Sequence, residues 1–101
     1  MADAPVSVMA KFVAKKGQET ALKTALTACL APSRKDPGCV SYTLYESTEA
    51  AGTFMMIEVW TGKDVLAKHL ETPHLKALLC QAPELLSEPM SVKLYSELAG
   101  L

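Results

Sequence analysis

Long apolar runs and blocks of like charge are both missing from this chain. No apolar stretch approaches the roughly 20 residues that a bilayer-spanning helix needs. No basic or acidic run exceeds two residues, and the net charge is −1. That balance gives no electrostatic footprint for nucleic acid or an acidic membrane. Arginine is nearly absent: Arg34 stands alone, so no guanidinium cluster awaits a phosphate. Cysteine is scarce and odd in number, with Cys29, Cys39 and Cys80 far apart. This argues against a disulfide framework and for a reducing cytoplasm. Cys29 and Cys80 fall on apolar helix faces, which predicts small core residues. Met1 to Pro5 has no basic segment followed by an apolar run, so no secretory signal is expected. No glycine-rich phosphate loop, nucleophile elbow, linker or tandem repeat occurs. Residues 1–101 are therefore expected to form one domain.

What is present is regular patterning. Val6 to Lys15 alternates, with Val6, Val8, Ala10 and Phe12 on one side, and reads as a strand. Gln18 to Arg34 carries Leu22, Ala25, Leu26, Cys29 and Leu30 at helical spacing, with Pro32 in or closing its last turn. Asp36, Pro37 and Gly38 form a turn. Cys39 to Ser47 is a second strand, with Val40, Tyr42 and Leu44 opposed to Ser41, Thr43 and Tyr45. Phe54 to Thr61 is a third, paired with the second as a hairpin. Gly62 to Leu70 is a short helix with Val65, Leu66, His69 and Leu70 near one face. Thr72 can cap a second helical segment, and Pro73 suits its first position, where no amide donor is needed. Pro83 is expected to stop or loosen that helix. Met90 to Leu98 gives a fourth strand. The order β-α-β-β-α-β is the split βαβ of an α+β, ferredoxin-like fold with a four-stranded antiparallel sheet.

The third strand is the most informative stretch. Phe54, Met56, Glu58 and Trp60 point to one side; Met55, Ile57 and Val59 point to the other. A carboxylate within a buried strand face is costly without a partner or water, and this mixture suits the wall of a pocket. With both helices on one side of the sheet, the other side must take one of these two sets. Neither is a solvent face. A homodimer with sheets face to face, closing a dimeric α/β barrel, is the simplest remedy.

Two segments carry a family resemblance. Met56 to Trp60, with its Glu58-x-Trp60 element, and Ala67 to Lys76, with His69, Thr72, Pro73 and His74, resemble antibiotic biosynthesis monooxygenase domains. The nearest type is the small bacterial quinol monooxygenases. Gly17, Pro37, Gly38, Cys39 and Tyr42 fit the same pattern. The resemblance implies a dimeric barrel with a pocket between sheet and helices in each subunit. It implies oxygenation of a small aromatic phenol or quinol by dioxygen, without metal, flavin or haem, the substrate itself supplying the electrons. Two other readings stay open: a small-molecule isomerase on the same scaffold, and a non-catalytic ligand-binding stress-response protein. The isomerase branch acts on a phosphorylated compound, which the single arginine serves poorly. The haem-degrading branch is further off, because the first strand has no asparagine.

Candidate residues follow. His69, with an ordinary pKa near neutrality, is a candidate general base. Glu58 can orient a histidine or take a substrate proton; the alternative is a hydrogen-bonded structural carboxylate. Trp60 can stack on an aromatic substrate or serve the core. Phe54 and Met56 share its face. Tyr42 and Tyr45 lie on opposite faces, and one of them is expected at the pocket. His74 opens the second helical segment, where an interface or capping role competes with substrate binding. His69 and His74 stand five apart across a proline, off the shared face that a helical zinc motif needs, so no metal is expected.

Overall fold

The computed structural model describes residues 4–100. Four strands, β1 (Val6–Val13), β2 (Cys39–Glu46), β3 (Thr53–Trp60) and β4 (Ser91–Tyr95), alternate with two helical pairs, α1 (Glu19–Ala28) with α2 (Leu30–Arg34) and α3 (Lys63–His69) with α4 (Pro73–Leu85). The sheet is antiparallel throughout, in the order β2-β3-β1-β4. This is the α+β ferredoxin-like arrangement that the pattern predicts. The two central strands alternate most cleanly. Val6, Val8, Ala10 and Phe12 of β1 and Phe54, Met56, Glu58 and Trp60 of β3 are buried and register against one another. Leu22 and Leu26 of α1, Leu66 of α3 and Leu75 and Leu78 of α4 complete the same core. The β3 set with the carboxylate thus faces the helices. Met55, Ile57 and Val59, with Met9 and Val13 of β1, are only half-buried on the opposite face.

Five local details depart from expectation. The first helix is broken at Cys29 instead of running unbroken to Arg34. Pro32 has no N–H for the Ala28 carbonyl, and the ladder slips there. Pro83 does not end α4: the helix continues to Leu85, and the Leu86 amide closes it onto the Ala82 carbonyl at 2.9 Å. In β2 the pairing shifts between Cys39 and Ser41. Val40 is the extra, bulged residue and is 62% exposed, so it does not share a face with Tyr42. Cys80 is exposed. It lies two residues, about 200° of helix turn, beyond the inward Leu78, which turns it to the outer face. Cys29 is buried as expected, and all three thiols are free. β4 is also shorter than Met90 to Leu98, pairing with β1 only over Ser91–Tyr95. Among the described residues, no helix is long and apolar enough to cross a membrane.

The turn before β2 is fastened tightly to the start of α3. Gly38 has φ of +83°, and a Cβ there would lie 2.7 Å from Val65 Cβ and 2.9 Å from Thr61 Oγ1. Only glycine fits that conformation and that gap. The Thr61 amide donates to the Gly38 carbonyl at 2.9 Å. Through this clasp Asp36, two residues earlier, is held against the helical pair α3–α4.

Candidate active site

A cavity of about 200 Å³ lies between the sheet and the second helical pair. Val8, Ala10 and Phe12 of β1, Val92 and Leu94 of β4, and Leu66, Leu70, Leu75, Leu78 and Leu79 of the helical layer make it apolar. Three polar residues interrupt that lining: Tyr42 from β2, Glu58 from β3 and His69 from α3. Neither lysine nor arginine lines it. A larger open groove of about 430 Å³ runs outside it along Ala82 to Met90, and shares Leu79 and Met90 with it. We place the site in the inner cavity because the convergent polar groups are there.

The bulge at Val40 matters here. It restores the phase of β2 so that Tyr42 registers with Glu58 on the helix side. Tyr42 is buried, whereas Tyr45, with 53% exposure, is not. The Arg34 Nε donates to the Tyr42 carbonyl at 3.0 Å. The single arginine is thus spent on holding α2 to β2.

His69 is 2% exposed and ends α3. The Thr72 hydroxyl that accepts from the Leu75 amide at the start of α4 also donates to the His69 carbonyl at 2.7 Å. One residue therefore fixes both the cap of α4 and the end of α3. The His69 ring lies over Trp60 with centroids 4.4 Å apart and planes tilted by 36°. Tyr42 meets it edge-on at 5.4 Å. Its Nδ1 lies 2.7 Å from Asp36 Oδ2, and its buried Nε2 has no hydrogen-bond partner among the described residues. Asp36 Oδ2 also lies 2.9 Å from His74 Nε2. With Nδ1–H donated to the carboxylate, the Nε2 lone pair is the free end of the ring.

Burial sets the charges. Desolvation drives the His69 pKa down against the pull of the Asp36 carboxylate, so the ring is neutral at physiological pH. At Asp36 desolvation acts upward, but hydrogen bonds from both histidines outweigh it and hold the carboxyl below its ordinary range. Glu58, 6% exposed, is pushed up to about 7 by desolvation, against the hydrogen bond from Trp60 Nε1 to its Oε1 at 2.9 Å. Burial, and then the Glu58 carboxylate, drive the Tyr42 phenol well up, so it stays protonated.

Of the residues singled out from sequence, His69, Glu58 and Tyr42 meet at one cavity. Trp60, Phe54 and Met56 share the same sheet face but do not line it. A substrate stacked on the indole does not fit this geometry, because Trp60 has no exposed surface and His69 already covers its face. Trp60 instead supports two of the polar residues, His69 by ring packing and Glu58 by its N–H. His74 is half-buried behind His69, with ring centroids 5.9 Å apart, and does not reach the cavity. Asp36 is the residue that sequence reasoning missed. Read only as part of a turn, it joins two histidines 33 and 38 positions away, and no local pattern reports such a contact. Ser33, fully buried with its hydroxyl beside the Tyr42 phenol, is a second residue that the sequence pattern did not single out.

Known proteins place this geometry in a family. Residues 5–79 match the family described as antibiotic biosynthesis monooxygenase. A Mycobacterium tuberculosis protein named "Putative monooxygenase Rv0793" is 34% identical over 93% of this chain and 92% of its own. Its solved structure superposes with a TM-score of 0.91, covering 96% of this chain and 98% of that one, at 33% identity. The Pseudomonas aeruginosa protein PA3566 gives the same TM-score at 29% identity, over 98% of this chain and 99% of that one. The uncharacterized Synechocystis protein sll1783 is 31% identical over 93% of this chain, which spans 64% of that protein's length. A match over most of the sequence, with a fold shared along nearly its whole length, establishes that the chain belongs to the antibiotic biosynthesis monooxygenase family.

Proposed function

We propose that this chain is a monooxygenase acting on a small aromatic phenol or quinol, with His69 as general base and no resident cofactor. One observation carries the reading: His69 lines an apolar cavity, with its ring tethered through Nδ1 to Asp36 and its buried Nε2 without a hydrogen-bond partner among the described residues. The family assignment and the relative named for monooxygenase activity support the reaction class. A cavity of about 150 Å³ already holds benzene, so about 200 Å³ suits a one- or two-ring substrate.

The reaction needs little from the protein. The substrate hydroxyl gives its proton to His69 Nε2, and Asp36 steadies the resulting imidazolium. The phenolate passes one electron to dioxygen. Recombination at a ring carbon forms a C–O bond and, with a proton, a hydroperoxide. The O–O bond then breaks as water leaves, giving a quinone. One oxygen atom enters the product and the other enters water, and the substrate supplies all the electrons. Glu58, with a pKa of about 7, can hold the second substrate oxygen or move a proton there. The apolar walls keep the phenolate and the hydroperoxide away from bulk water.

The assembly is part of the same proposal. Met9, Val13, Met55, Ile57 and Val59 form a half-buried apolar strip on the outer sheet face, interrupted by Ser7 and Lys11 of β1, and Tyr45 and Tyr95 stand exposed beyond it. Two such faces packed together give a homodimer and a closed α/β barrel in the cytoplasm. Oxygen uptake measured against a panel of phenols, quinols and naphthols in metal-free buffer tests the activity. Turnover of at least one class, lost in His69→Gln, is the expected result. No uptake with any member, beside tight binding of the same compounds, would leave a binding protein.

A further inference from the structure

We propose that Asp36, His69 and His74 form a binding site for one divalent transition-metal ion per chain. Three different segments supply them: the turn before β2, the end of α3 and the first turn of α4. Asp36 Oδ2, His69 Nδ1 and His74 Nε2 all lie within 4.8 Å of one another. The carboxylate oxygen is 2.7 Å from one nitrogen and 2.9 Å from the other. Metal bonds of about 2.0–2.2 Å place neighbouring ligand atoms roughly 3 Å apart, so a small rearrangement of His74 and Asp36 that gathers the three atoms around a common centre would admit an ion. That rearrangement is open to them, because the His74 side chain is 19% exposed and that of Asp36 14%, which also gives an ion a path from solvent. Two imidazoles and one carboxylate suit zinc, cobalt, nickel or ferrous ions, and leave open positions for water.

Two histidines five apart across a proline share no face of a single helix. Here the break between α3 and α4 turns His74 back towards His69, and the Gly38 clasp brings in the third ligand. Binding has a chemical consequence that rests on the function proposed above. Nδ1 of His69 would give its lone pair to the ion, so the ring proton would move to Nε2. The free end of the imidazole would become a donor, and the base would be lost. Metal binding and base catalysis are thus mutually exclusive, and the ion would act as an inhibitor.

The chain has only two histidines, so ring-nitrogen NMR reads both directly in the unaltered protein. Titration with Zn²⁺ is expected to saturate at one ion per chain, moving the His69 Nδ1 and His74 Nε2 resonances to metal-bound positions and leaving His69 Nε2 protonated. Asp36→Asn and His74→Ala should each weaken binding by about tenfold or more. Replacing Cys29, Cys39 and Cys80 by serine should leave it intact. Failure to bind in the unaltered protein, unmoved ring nitrogens, or binding that follows the cysteines would overturn the proposal. Oxygen uptake plays no part in these readouts, so the metal site and the oxygenase reading fail separately.

Discussion

Glu58→Gln isolates the cost of keeping an ionisable group in the β3 core. The folded carboxyl is pushed to about 7 from an ordinary value of 4.5. Between those values the folded chain keeps a proton that the unfolded chain has released. Stability from this group is therefore complete below pH 4.5 and falls as pH rises through 7. The gap of about 2.5 at about 1.36 kcal/mol each gives about 3 kcal/mol. Glutamine keeps an oxygen for Trp60 Nε1 and never ionises. Thermal unfolding of both proteins from pH 4 to pH 8 is the assay, because the difference between them removes the titration of every other group. The two should be nearly equal at pH 4. By pH 8 the variant should be more stable by about 3 kcal/mol, or roughly 12–24 °C in Tm for a domain of this size. A difference that stays flat across that range would refute the argument, and would mean that Glu58 is hydrated or partnered well enough to ionise freely.

The other predictions concern the site and the assembly. Asp36→Asn should lower kcat by about tenfold or more with little change in KM, read from steady-state oxygen uptake, because it positions the base without touching substrate. Trp60→Ala should cost about 3–5 kcal/mol in denaturant unfolding, since the indole is fully buried. Gly38→Ala should destabilise the fold through the clash with Val65 and Thr61, and should separate the Asp36 and His69 resonances from their native positions in NMR spectra. Ile57→Lys should turn the proposed dimer into a monomer in sedimentation velocity, and a wild-type protein that is already a monomer at micromolar concentration would remove the barrel.

The fold was legible because its signals are local. The alternation of Val6 to Val13 and of Phe54 to Trp60 marks two central strands, each with one buried face. The Thr72–Pro73 pair marks a helix start that the Thr72 hydroxyl does cap. Pro83 sits in the last turn of α4, and the helix runs only two residues beyond it, to Leu85. The site was only partly legible. Alternation brought out Glu58 and Tyr42, and helical spacing brought out His69. The same alternation could not tell which residues along that face line the cavity. Phe54, Met56 and Trp60 share the face with Glu58, yet the cavity lies towards β1 and β4, and only the Glu58 row of β3 reaches it. Asp36 was invisible because its meaning lies in contacts across more than thirty residues.

In the proposed reaction His69 removes a proton from a bound phenol so that the substrate itself can reduce dioxygen. Turnover under ¹⁸O₂ in metal-free buffer, with mass analysis of product and water, follows where each oxygen atom goes. One labelled oxygen is expected in the quinone and one in water. A loss of rate of about 10²–10⁴ is expected in His69→Gln, with the fold retained by circular dichroism. Unlabelled product, or a labelled product formed as fast without the imidazole, would contradict that reaction.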